Sequence, residues 1–198
     1  MDRLDALLDV AAPLLNRVDS VLGTTGAPEE HRVWAELRRV GLLPGDAARA
    51  VAALRPAAIA EAAPELRGQA RVCADTADTL PPPAEWVGEA ATAYDEARRR
   101  TAERLAAGPA SLRHRLTATA DLADALTGWM TRARTDLAAT LTGILTSAEA
   151  VTLIAGVAFP SADESRAAAE VAATLLGTIA DTYDRADDLL DRATLPAR

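Results

Sequence analysis

Few side chains in this sequence are of the types that carry out chemistry. Cys73 is the only cysteine, and His31 and His114 are the only histidines, so an intrachain disulfide and a thiolate zinc site are both excluded. All 21 basic residues are arginine, and the absence of lysine excludes Schiff-base chemistry and a Walker-type phosphate loop. We therefore expect no cofactor, no bound transition metal and no enzymatic activity.

Acidic residues form two groups in which a hydrolytic or calcium site could be sought. Glu29 and Glu30 precede His31, but one histidine without a second ligand does not support a hydrolytic site. The aspartates near the C-terminal end lack the glycine and the spacing of an EF-hand loop; they are Asp181, Asp184, Asp187, Asp188 and Asp191. An enzyme with a carboxylate site between helices is kept as a third hypothesis, which requires inward-facing acids on opposed helices.

The segment WVGEAATAY, Trp86 to Tyr94, follows three consecutive prolines. The prolines favour extended backbone, because each one disfavours helix in the residue before it. We expect a turn that presents the indole of Trp86 at the end of a helical hairpin, with Gly88 allowing another backbone to approach closely. Tyr94 follows Trp86 by roughly two helical turns. The alternative interpretation is an aromatic residue that simply packs at the start of a helix.

This segment resembles the WxG-motif superfamily of type VII (ESX) secretion substrates, helical hairpins whose turn carries Trp-x-Gly followed by small residues and an aromatic. Trp86, Gly88 and Tyr94 match that pattern. Such substrates carry a second element, Tyr-x-x-x-Asp or Glu, near the end of a C-terminal helix, and Tyr183 with Asp187 matches it. In a helix these two residues lie one turn apart on the same face.

The spacing departs from the small members of that superfamily, in which the two motifs lie about one helix apart. Here nearly half of the chain separates Trp86 from Tyr183. This arrangement is similar to the larger single-chain substrates and to PE/PPE-like proteins, in which one polypeptide supplies both halves of a four-helix unit. The first 60 or so residues have no counterpart in the small members.

Helices are the elements that must position these residues. Alanine makes up about a quarter of the chain and aromatic residues only 3%, a composition that favours helix and is poor in β-formers. Apolar residues recur every three or four positions between breaks at proline and glycine. The pattern predicts an all-α fold, with an N-terminal helical extension over residues 1–64 and an elongated antiparallel four-helix bundle over 65–198. Its turns are expected near 81–85, 108–110 and 159–161.

The net charge and the hydropathy of the chain indicate which classes of partner it can bind and whether it can span a membrane. A net charge of -8 argues against nucleic acid. The most apolar stretch, Leu141 to Phe159, carries Glu149 with several threonines and serines, so we expect a buried helix and no transmembrane span. The first residues lack the basic and long apolar regions of a secretory signal. Together with the resemblance, this favours secretion by a signal-peptide-independent route; the alternative is a cytoplasmic protein.

The resemblance implies a non-enzymatic type VII secretion substrate, or a substrate-like helical-bundle protein, that acts through helix–helix interaction. Its partners would be the type VII secretion machinery or a small helical-hairpin protein, and a homo-oligomer is left open. The alternative function is a cytosolic scaffold or chaperone-like partner of a small helical-hairpin WxG protein.

The resemblance also implies that Trp86 and Tyr183 with Asp187 form one bipartite recognition surface. A simple up-down topology argues against that contact. At about 1.5 Å of rise per residue, it leaves Tyr183 about 30 Å from the end at which Trp86 lies. A last helix that folds back, or a second molecule, would be needed to bring the two elements together.

Overall fold

The computed structural model describes residues 2–155 and 160–194. Within these ranges all helices are α-helices and no residue is in a strand, which confirms the predicted all-α fold. The helices are α1 (Arg3–Thr25), α2 (Val33–Val40), α3 (Pro44–Ala52), α4 (Pro56–Ala60), α5 (Ala62–Thr79), α6 (Glu89–Ala106), α7 (Leu112–Leu145), α8 (Ala148–Ile154) and α9 (Ala162–Thr194).

The chain divides into two compact units. The first unit is Met1–Arg55 with Trp129–Asp188, and the second unit is Pro56–Gly128 with Leu189–Arg198. The sequence predicts a division after residue 64. Helix α1 shares a core with α9 in the first unit, whereas residues 56–64 belong to the second unit. The predicted four-helix bundle over 65–198 is not confirmed by this division.

The core of the first unit combines large side chains of α1 with small and large side chains of α9. Leu14, Leu15 and Val18 are buried on α1, at the spacing of one helix face. The contributions of α9 include Ala168, Ala169, Ala172, Ala173, Leu175, Leu176 and Ile179. The alanines allow neighbouring helices to approach closely, whereas the leucines fill the remaining space.

The long apolar stretch after Leu112 is two helices and not one. Helix α7 ends at Leu145, and the Ser147 side chain caps α8 by accepting a hydrogen bond from the Ala150 backbone N–H at 3.1 Å. The two helices form a bend of 67°. This bend leaves Val151 67% exposed, although the apolar stripe predicts it inside, while Leu153 is buried. The rest of the predicted helix, residues 156–159, lies outside the described residues.

No single helix in the described ranges is both long and apolar enough to cross a membrane. Within the same ranges, α7 and α8 taken together, as a bent pair, meet the requirements of length and composition.

The second unit contains a helical hairpin, α5 and α6, followed by the first half of α7. The breaks between these helices, residues 80–88 and 107–111, include the turns predicted near 81–85 and 108–110. Arg67 on α5 pairs with Asp121 and Asp124 on α7, each at 2.7 Å. Buried alanines join the same two helices: Ala63 packs with Ala120 and Ala123.

Among the described residues of the first unit, Arg134 on α7 is the buried arginine. Its Nε donates to Asp2 Oδ2 at 2.8 Å and its Nη2 donates to Asp5 Oδ1 at 2.9 Å. Its Nη1 donates to the carbonyls of Ala52 and Leu54 at the end of α3. Asp2 and Asp5 also form the capping box of α1. One guanidinium therefore connects the start of α1, the end of α3 and the middle of α7.

We predict that Arg134→Met lowers the free energy of unfolding by about 2–4 kcal/mol, because it leaves two carbonyls and two carboxylates without their buried donor. Urea denaturation followed by far-UV circular dichroism measures the change. Arg132→Met is the matched control, since Arg132 is exposed on the same helix, and it should change stability by less than about 0.5 kcal/mol. Equal effects of the two variants would contradict the role given to Arg134.

Acid should destabilise the first unit. Hydrogen bonds from Arg134 lower the pKa of Asp2 and of Asp5, and a hydrogen bond from Arg17 lowers the pKa of Glu164. A lowered folded-state pKa gives stability that is present above the ordinary values of 3.8 for Asp and 4.5 for Glu and is lost as the pH falls through the folded-state pKa. Burial raises the pKa of Asp19, which acts in the opposite direction.

Hydrogen bonds from Arg32 and His31 also lower the pKa of Glu170 in this unit. Because four acids with a lowered pKa oppose Asp19 alone, we expect the melting temperature to fall as the pH is lowered from about 5 to about 3. The fall should be smaller in Arg134→Met, which no longer lowers the pKa of Asp2 and Asp5. A melting temperature that rises over this interval would show that Asp19 dominates.

Candidate functional site

Trp86 lies in the connection between α5 and α6. The Trp86 backbone N–H donates to the Pro83 carbonyl at 3.1 Å, which closes a tight turn directly after the prolines. Ala84, inside this turn, has a positive φ of 53°. The indole is 62% exposed and the neighbouring Val87 is 90% exposed. The turn of the hairpin therefore presents two adjacent apolar side chains to solvent.

Tyr94 on α6 holds this turn in place. Its ring packs against the Trp86 ring, with a centroid distance of 5.5 Å and an interplanar angle of 54°. Its hydroxyl donates to the Pro81 carbonyl at 2.9 Å. One tyrosine thus contacts both the start of the connection and the exposed indole, and tilted aromatic pairs of this kind are attractive beyond the area they bury. The separation of eight residues between Trp86 and Tyr94 allows their rings to come into contact.

Gly88 is the N-cap residue of α6 and has φ 90° and ψ -170°. This backbone conformation is accessible to glycine and strained for other residues. A Cβ at this position would meet no atom within 4 Å. Glycine is therefore required here by the positive φ and not by the expected close approach of another backbone.

We predict that Gly88→Ala destabilises the protein by about 1–2 kcal/mol, because alanine must adopt a left-handed conformation at this position. Gly143→Ala is the matched control: Gly143 is inside α7 with no atom within 4 Å of a Cβ, and alanine there should stabilise by up to about 1 kcal/mol. Urea denaturation of the two variants should give opposite signs. Stabilisation by Gly88→Ala would contradict the backbone argument.

Tyr183 lies on α9 in the first unit and is 40% exposed. Its ring packs against Trp129 of α7, with a centroid distance of 6.2 Å. Trp129 is itself buried, and its Nε1 donates to the Thr182 carbonyl at 2.7 Å. Asp187 follows one helical turn later and is exposed. Trp129 is thus both a core residue and the residue that packs on Tyr183.

A cavity of about 230 Å³ lies beside Tyr183 and Asp187, and Arg39 and Leu42 line its other side. Arg39 donates to Asp181 at 3.1 Å and to Asp184 at 2.7 Å. These hydrogen bonds raise the pKa of the Arg39 guanidinium further above its ordinary value. Arg39 and Leu42 could not be predicted from the sequence, because no local pattern relates α2 to the end of α9.

The predicted site residues thus form two groups. Trp86, Gly88 and Tyr94 come together at one turn of the second unit, and Tyr183 and Asp187 belong to the first unit. The single bipartite surface stays a prediction.

The described part of the chain offers few side chains for metal binding or for imidazole chemistry. Residues 2–155 and 160–194 contain no group of three or more His, Cys, Asp or Glu side chains placed to hold a metal ion. His31 is engaged on both sides, since Nδ1 accepts from the Val33 backbone N–H at 3.1 Å and Nε2 lies 3.1 Å from Glu170 Oε1. It therefore serves the packing of α2 on α9.

Comparisons with protein-family models, with curated proteins and with solved structures found no match to this chain.

Proposed function

We propose that the protein is a non-enzymatic type VII (ESX) secretion substrate, or a substrate-like helical protein, that acts through helix–helix interaction. The observation that carries the proposal is the Trp86 turn. An indole exposed at 62% is held by Tyr94 at the connection of a helical hairpin, with the required glycine two residues later. This is the arrangement in which the Trp-x-Gly element occurs in the family that the sequence resembles.

The physical basis is that an exposed, pre-oriented indole is an efficient anchor for a partner. Tryptophan is among the residues that most often dominate the binding energy of protein interfaces. Its rotation is already restricted here by the Tyr94 ring, so less conformational entropy is lost on binding. The adjacent Val87 adds apolar area on the same turn. A helical partner with a small apolar pocket fits this surface.

Tyr183 and Asp187 supply the second recognition element of the proposal. The Tyr183 ring is fixed by Trp129, and the Asp187 carboxylate lies at the rim of the same cavity. A tyrosine and a carboxylate one turn apart suit a partner that offers an apolar contact beside a cationic or hydrogen-bond-donating group. We propose export of the protein without a cleaved signal peptide.

We predict that Trp86→Ala lowers export at least about tenfold, because the mutation removes the main anchor of the turn. The measurement is the ratio of tagged protein in culture filtrate to that in cells, in a host with an active type VII system. Val72→Ala is the matched control, since it truncates an equally exposed apolar side chain on α5 outside the turn, and it should keep export within about twofold. Circular dichroism of both purified variants checks that the helical content is unchanged.

A host from which the type VII system has been deleted completes the test. Export of the unmodified protein should disappear in that host. Retention of the protein inside the cells of both hosts would support the alternative, a cytosolic scaffold or chaperone-like partner of a small helical-hairpin protein. Equal export of Trp86→Ala and the unmodified protein would contradict the role of the turn.

A further inference from the structure

A cavity of about 660 Å³ lies in the second unit between α5 and α7, next to the connection that precedes α7. Its lining is strongly basic. The residues that matter are Arg67 and Arg71 on α5, Gly108 in the connection, and Arg113, His114 and Thr117 on α7. The volume is in the range of small-molecule sites.

The positive charge in this cavity is only partly neutralised. Arg67 is held by Asp121 and Asp124. Within residues 2–155 and 160–194, no carboxylate lies within ion-pair distance of Arg71 or Arg113, and none lines the cavity. The arginines of α6 differ, because Asp95 pairs with both Arg98, at 2.8 Å, and Arg99, at 2.5 Å.

The start of α7 adds to this excess. The first turn of a helix favours acidic residues, because the N-terminal end of the helix dipole is positive. The first turn of α7 has no acidic residue and contains Arg113 and His114 instead. Most of the other described helices have an acidic residue in their first turn, for example Glu65 on α5 and Glu89 on α6. An anion bound in the cavity would neutralise the positive charge of the arginines and interact favourably with the positive end of the α7 dipole.

We propose that this cavity binds the phosphoryl groups of a small, multiply charged anion. Two guanidinium groups from different helices can each make two hydrogen bonds to phosphoryl oxygens. The His114 side chain also lines the cavity and adds a further donor. A monocarboxylate would neutralise only one of these charges, and the net charge of -8 disfavours a nucleic acid polymer. This proposal does not depend on the proposed secretion.

The test is isothermal titration calorimetry of the full chain with pyrophosphate, at constant ionic strength. Binding should weaken at least about tenfold in Arg71→Gln and in Arg113→Gln, because each variant loses charge-assisted hydrogen bonds. Arg100→Gln is the matched control, since Arg100 is an exposed arginine on α6 outside the cavity, and it should keep the affinity within about twofold.

A second measurement separates a ligand site from a structural one. Without pyrophosphate, the melting temperatures of Arg71→Gln and Arg113→Gln should equal or exceed that of the unmodified protein, because like charges are removed. Lower melting temperatures would indicate a structural role and overturn the proposal. Absence of pyrophosphate binding, an equal loss in Arg100→Gln, or tighter binding of citrate or of a single-stranded oligonucleotide would overturn it as well.

Discussion

The first unit depends on the hydrogen bonds and ion pairs made by the buried guanidinium of Arg134. Alanine-rich helix faces pack closely but resemble one another along their length, so apolar contact alone distinguishes poorly between alternative registers. A buried charge has far fewer acceptable positions, because its donors must all be satisfied. Arg134 meets this condition only when Asp2, Asp5 and the carbonyls that end α3 surround it. It therefore specifies how α1, α3 and α7 meet.

Glu164, the buried acid of the described chain, does the same for the start of α9. It pairs with Arg17 on α1 at 2.5 Å and accepts from the Ser161 backbone N–H at 2.9 Å. One carboxylate thus caps its own helix and joins it to a second one. Thr140 and Thr178 add a hydrogen bond of 3.0 Å between α7 and α9. Polar contacts at the core boundary set the register, while small apolar side chains supply the area.

The sequence was informative where local rules decide the structure. Proline and glycine predicted the breaks around Trp86 and Gly108. The packing of Tyr94 on Trp86 was not predicted from their separation in the sequence. The bend between α7 and α8 was not predicted. Apolar residues continue at helical spacing on both sides of Ser147, so nothing in the sequence indicated that Ser147 caps a new helix. The core shared by α1 and α9, and the position of Arg39 beside Tyr183, depend on contacts between distant segments, which periodicity does not encode.

The two units differ in what they bury, and this difference bears on function. In the described part of the second unit, the fully buried apolar residues are all alanines, whereas the first unit buries leucines, valines and isoleucines as well. Alanine contributes little apolar area, so the second unit has the smaller hydrophobic stabilisation per residue. The same unit carries the exposed indole and the partly neutralised basic cavity. Both features cost stability in the free protein, and both become favourable when a partner or an anion covers them. The proposed Trp86 and anion sites therefore lie in the unit with the weaker core, whereas Tyr183 and Asp187 lie in the first unit, which has the larger apolar core.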